Sequence, residues 1–150
     1  MKKIFWIVGI IVVIVISIFL VQFIFGNSEN NKPTISRDGK FSDLVEMESP
    51  RVGDKLKSPI KISGRAPGNW FFEAVAPAVL VDWDGRIIGQ SYITAEGDWM
   101  TTDLVNFSGE IEYTLPANIY SKKGALILRR NNPSDLPEND AALEIPIILE

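Results

Sequence analysis

From Leu44 to Leu149 apolar and polar residues trade places at a period of two, and that alternation constrains the chain more than any other feature. Successive side chains of a strand point to opposite faces, so the pattern describes strands with one face in a core. Ile60, Ile62, Gly64 and Ala66 alternate with Lys61, Ser63 and Arg65. Phe107, Ile111, Tyr113 and Leu115 alternate with Ser108, Glu110, Glu112 and Thr114. Leu143, Ile145, Ile147 and Leu149 form a third series, in which Pro146 predicts an edge strand or a bulge. The apolar triplets Val79-Leu80-Val81 and Leu126-Ile127-Leu128 suit strands buried near the centre of a sheet.

Turn signals punctuate these runs. Asp84-Gly85, between Val79–Trp83 and Arg86–Thr94, predicts a hairpin. Further turns are expected at Ser49-Pro50, Val52-Gly53-Asp54, Ala66-Pro67-Gly68-Asn69, Glu96-Gly97-Asp98 and Asn132-Pro133. About seven strands in about 105 residues, without a long helical pattern, predict an all-β sandwich. The chain has no Cys, so packing alone must join the sheets.

The N-terminus reads differently. Ile4 to Phe25 is a run of 22 residues with no charge, interrupted only by Gly9, Ser17 and Gln22. As a helix it would span roughly 33 Å, the thickness of a bilayer's hydrocarbon core. Lys2 and Lys3 precede it, which places that end in the cytoplasm and the rest of the chain outside, as a single-pass protein of the cell membrane. A cleaved signal peptide is the competing reading. Its apolar stretch is usually shorter, although Gly26-Asn27-Ser28 offers small residues for cleavage. The expected organisation is an anchor over 1–25, a polar linker over 26–43 and a β-sandwich over 44–150. Such a linker reaches on the order of 20–25 Å as a coil.

Composition excludes several functions. After the anchor the chain carries 13 basic and 19 acidic residues, a net charge of −6. A phosphate backbone needs a basic face, so nucleic acid is not an expected partner. Absent His removes the commonest general base and zinc ligand.

Three segments are recognisable together: Gly64-Arg65-Ala66-Pro67-Gly68-Asn69-Trp70-Phe71-Phe72-Glu73-Ala74, then Gly97-Asp98-Trp99-Met100-Thr101, then Leu128-Arg129-Arg130-Asn131-Asn132-Pro133-Ser134 continuing to Pro137-Glu138-Asn139-Asp140. In this order and spacing they resemble the immunoglobulin-like domain of bacterial spore germination, a domain associated with the GerM/GerN-type module. The likeness runs from about Met47 to Leu149. It implies an immunoglobulin-like sandwich in a bacterial envelope protein, without a defined ligand. Asp135 stands where the pattern expects Gly, and Asp tolerates the left-handed backbone such a turn needs.

The candidate binding residues are Trp70, Glu73, Asn131, Asn132, Glu138, Asn139 and Asp140. Trp70-Phe71-Phe72-Glu73 offers aromatic rings beside a carboxylate. The simpler reading is a strand whose alternate rings enter the core, with Trp70 and Phe72 on one face and Phe71 and Glu73 on the other. Asn131 to Asp140 form a sandwich-end loop, the usual place for an interaction surface. Asp98 is expected to cap backbone amides ahead of a core-plugging Trp99. Asp82-Trp83-Asp84-Gly85 begins like a calcium loop, but Ile87 falls where Gly is needed and Ile93 where Glu is needed, so a hairpin explains it better. Calcium at Asp135 and Pro137–Asp140 is weighed against a solvated loop. Ser58-Pro59-Ile60-Lys61 has the Ser-x-x-Lys spacing, but on an extended segment the two side chains point to opposite faces.

These observations predict a non-catalytic binding or scaffold module, tethered outside the membrane and using no cofactor, with an envelope protein or cell-wall polymer as partner. The alternatives are a wall-active glycoside hydrolase using Glu73 and Asp98, and a structural spacer without a ligand.

Overall fold

A computed structural model describes the backbone of Thr34–Ile35 and residues 44–150. The expected anchor, 1–25, lies outside the described residues. Among those described, no helix is long and apolar enough to cross a membrane.

Nine strands are present among the described residues: β1 (Thr34–Ile35), β2 (Glu46–Ser49), β3 (Lys55–Leu56), β4 (Ile60–Pro67), β5 (Val75–Asp82), β6 (Ile87–Ala95), β7 (Leu104–Ile111), β8 (Lys123–Arg129) and β9 (Ala142–Leu149). Seven have four residues or more, and β1 and β3 are two-residue additions. They form one hydrogen-bonded path, β1-β9-β8-β5-β6-β7-β4-β2, with β3 also pairing β9. The path turns over on itself between β6 and β7, where the paired residues are Ile93–Ala95 against Phe107–Gly109. The inward positions of β9, β8 and β5 thereby meet those of β4 and β7 in one core. It contains Leu80, Leu126, Leu128, Leu143, Ile145 and Ile147 together with Ile60, Ile62, Phe107 and Ile111. This is an all-β, immunoglobulin-like arrangement.

Most of the alternation is realised as expected. β5 and β9 each alternate half-buried and buried along their full length. The Phe107–Leu115 strand ends early, at Ile111. Its ladder partner β4 begins at Ile60, after Pro59, which has no N–H to give. Tyr113 N–H donates instead to Ser58 Oγ at 3.0 Å.

Of the two readings of Pro146, the bulge is overturned and the edge position stands: β9 keeps unbroken register against β8, and its other side meets, among the described residues, only the two-residue strands β1 and β3. On that side the Pro146 carbonyl accepts Gly53 N–H at 2.8 Å, between the residues paired with β1 and those paired with β3. The missing N–H therefore interrupts no ladder. The expected linker, 26–43, is also not wholly a tether, because β1 pairs Thr34 with Glu144 and Ile35 with Leu143. An open edge of β9 at that point gives those backbone groups partners.

Residues 46–56 serve both halves of the sandwich. β2 pairs β4, and β3, only a few residues later, pairs β9 in parallel. In a chain without disulfides this crossing segment laces the two sheets.

The hairpin between β5 and β6 forms as expected. Gly85 takes a left-handed φ of 76°, and Asp82 N–H donates to Arg86 O at 2.9 Å. Asp82 is buried. Its Oδ1 accepts Asp84 N–H at 2.9 Å and Arg86 N–H at 3.0 Å, and its Oδ2 accepts Arg86 Nε at 3.2 Å. Burial pushes this carboxyl's pKa up, but the backbone amides of Arg86 and Asp84 and the Arg86 guanidinium outweigh it, leaving the value below the usual 3.8. The folded-state value is the lower one, so the stabilisation is full above pH 3.8. It is lost as pH falls through 3.8 and on through the folded value. Asp82→Asn is therefore expected to unfold at lower denaturant than wild type at pH 7. The two midpoints should converge in titrations carried below pH 3.8.

Candidate functional site

Strand directions sort the loops onto two ends. One end gathers 67–74, 96–103 and 130–141; the other gathers 50–59, 83–86 and 112–122. The three recognisable segments all fall on the first end.

They are pinned together there. A 3-10 turn over Gly68–Trp70 ends β4 and turns Trp70 inward, where it is 1% exposed. Gly68 lies so close to the carbonyl oxygens of Trp99 and Thr101 that no side chain would fit, and its N–H donates to Asp103 O at 3.0 Å. Arg130 Nε donates to Asn69 O at 3.0 Å and its NH1 to Asn139 O at 3.2 Å, so one guanidinium bridges two loops. Asn131 N–H donates to Trp70 O at 2.9 Å, and its Nδ2 to Val75 O at 3.1 Å and, more weakly, to Phe72 O at 3.4 Å. Asp98 Oδ1 accepts Met100 N–H at 3.0 Å, the expected cap, and Trp99 packs half-buried against the core.

The 131–140 loop is closed on itself. Asn132 Nδ2 reaches Asp140 Oδ1 at 2.8 Å and Leu136 O at 2.9 Å. Ser134 Oγ donates to Asn132 Oδ1 at 2.6 Å and accepts Asn139 Nδ2 at 3.0 Å. Asp135 takes a φ of 55°, the left-handed conformation expected of the position.

The candidate binding residues therefore divide. Trp70 is corrected: its ring is sealed in the core and offers no surface to a ligand. The expected strand alternation through Trp70–Glu73 is also corrected. Trp70 and Phe71 are both buried while Phe72 and Glu73 are exposed. The segment is a 3-10 turn followed by a tight reversal in which Phe72 and Val75 exchange backbone hydrogen bonds, with Glu73 and Ala74 at φ of 53° and 64°. A period-two argument does not hold where the backbone leaves the β region. Asn131, Asn132 and Asn139 commit amide groups to the loops themselves. Glu73, Glu138 and Asp140 lie exposed on this end.

The seven acidic residues of the first end's loops (Glu73, Glu96, Asp98, Asp103, Asp135, Glu138 and Asp140) face one basic residue, Arg130. Exposed Phe72 and Leu136 add apolar area. An open depression of about 400 Å³ on this end is lined by Gly68, Asn69 and Trp99–Thr102, and includes neither Glu73 nor Asp98. No group of three or more Asp or Glu among the described residues is arranged to hold a metal ion. Sequence reasoning did not single out Arg130. The doubled Arg inside a recognisable segment was the available signal.

The model of one protein family, the immunoglobulin-like domain of bacterial spore germination, matches residues 44–135. The chain belongs to that family. Membership makes it an immunoglobulin-like, germination-associated module of a generally non-catalytic family. The match begins just before β2 and ends at Asp135, so the closing half of the 131–140 loop and β9 lie beyond it. The first two recognisable segments, and the third as far as Asp135, lie within the match and make most of this chain's loop-pinning contacts. Comparison with curated proteins and with solved structures returns no match.

Proposed function

We propose that this chain is a non-catalytic adhesion module of the bacterial cell envelope. Residues 1–25 hold it in the membrane as a single-pass anchor with a cytoplasmic N-terminus, and its acidic loop end grips a basic surface on another envelope protein. The observation that carries this reading is the convergence of three loops into one cross-bonded end whose outward groups are carboxylates around Phe72 and Leu136. A loop already ordered loses little entropy on binding. Opposite charge would draw a basic partner and repel a polyanion. The hydrolase alternative gains no support from the open depression on this end, whose lining includes neither Glu73 nor Asp98.

The test is crosslinking in intact cells, comparing wild type with a Phe72→Ser, Glu138→Lys, Leu136→Ser variant. Loss of about tenfold or more of the captured partner is expected, because the three changes remove the apolar contact and reverse a charge. Tyr92→Ser, which alters a face away from the loops, is expected to leave capture unchanged. An identical set of partners for wild type and the triple variant would overturn the assignment.

A further inference from the structure

The opposite end of the sandwich carries a different surface. Trp83, at the tip of the β5–β6 hairpin, meets Tyr120 from the 112–122 loop, with ring centroids 5.3 Å apart and planes inclined at 50°. The rings form a corner rather than a buried stack. Trp83 is 44% exposed and Tyr120 87% exposed. Two large aromatic side chains left in water at one point mark a binding surface far better than isolated exposed apolar residues do.

Both rings stand on braced backbone. The buried Asp82 carboxylate clamps the turn that presents Trp83. Beyond Tyr120, Lys123 N–H donates to Ser121 Oγ at 3.2 Å, and Lys122 O accepts Leu149 N–H at 2.7 Å from β9. Trp and Tyr have only two side-chain torsions each, so such a corner is ordered before a ligand arrives.

This end is also far less acidic than the other. With the flanking Asp82, Lys123 and Glu150 counted, segments 50–59, 83–86 and 112–122 hold six basic and five acidic residues, and the adjacent Lys122 and Lys123 are its exposed cations beside Tyr120. An anionic polymer is therefore directed here and away from the acidic loops. We propose that the Trp83–Tyr120 corner binds an anionic glycan of the cell wall. The apolar face of a pyranose ring would lie against the aromatic corner, with the glycan's carboxylates near Lys122 and Lys123. This reading is independent of the acidic end's partner.

The probe is a soluble preparation of peptidoglycan strands bearing carboxylate side groups, titrated into the full chain in detergent micelles and followed by calorimetry and tryptophan fluorescence. Saturable binding is expected that weakens as salt is raised. Tyr120→Ala, which removes a ring almost wholly in solvent and so leaves folding intact, is expected to weaken binding about tenfold or more. Trp83→Ala should do the same, and Lys122→Glu with Lys123→Glu should weaken it further. Tyr92→Ala is expected to stay within about twofold of wild type, and uncharged chitohexaose to bind at least about tenfold more weakly than the strands. No saturable binding, equal loss in Tyr92→Ala, or chitohexaose binding as tight as that of the strands would overturn the proposal. So would association with phosphatidylglycerol vesicles that needs Trp83 where the strands do not bind, because the corner would then be a lipid-facing surface.

Discussion

Trp70→Ala is expected to cost about 3–5 kcal/mol, a large fraction of the total stability of an ordinary domain. The ring is 1% exposed at the point where the first loop dives beneath the Arg130 and Asn131 contacts. Its removal leaves a cavity and frees the loop that Asn131 holds. Trp70 Nε1 is also the one buried side-chain polar atom without a hydrogen-bond partner among the described residues. Trp70→Phe removes that unpaired donor along with part of the volume, so it is expected to recover more than half of the alanine loss. Urea unfolding followed by far-ultraviolet circular dichroism measures both. Equal costs for Phe and Ala would mean that the indole N–H is satisfied by water and contributes to stability.

Gly68→Ala is the second large effect. An added Cβ would run into the backbone oxygens of Trp99 and Thr101, and backbone cannot swing aside as a flexible side chain can. Overpacking of this kind costs about 1–3 kcal/mol and sometimes more. Here it would also strain the Gly68 N–H to Asp103 O bond that ties the first loop to the second. Gly85→Ala makes the informative comparison. Nothing lies within 4 Å of its Cβ, so only the left-handed backbone, at about 1–2 kcal/mol, opposes it. Thermal unfolding of the two variants is expected to rank Gly68→Ala as the less stable. If the proposed partner of the acidic end is captured by the wild type, it should be lost in Gly68→Ala and kept in Gly85→Ala.

Much of the fold was legible because a β-sandwich writes itself locally. The alternation of β4, β5 and β9, the Asp84-Gly85 hairpin and the left-handed Asp135 depend on neighbours only a few residues away. The ends were less legible. Trp70–Glu73 kept the residue types of a strand while its backbone turned, because Gly68's contact with Trp99, some thirty residues on, decides that geometry. Asn131 and Asn132 looked like ligand-binding amides, and only their distances to Val75 and Asp140 show them bracing the fold. Trp83 and Tyr120 lie far apart in sequence, and no local pattern announces their meeting.

The crossing of residues 46–56 from one sheet to the other has a mechanical consequence. β2 begins at the acidic end and runs lengthwise beside β4. Once the two-residue β1 is drawn off β9, a pull reaching Leu44 and resisted at the Trp83 corner would travel parallel to the strands. The ladder bonds would then be loaded in shear and share the force, instead of opening one after another like a zip. Were the proposed anchor and the proposed glycan contact both engaged, the load on the domain would run in that direction.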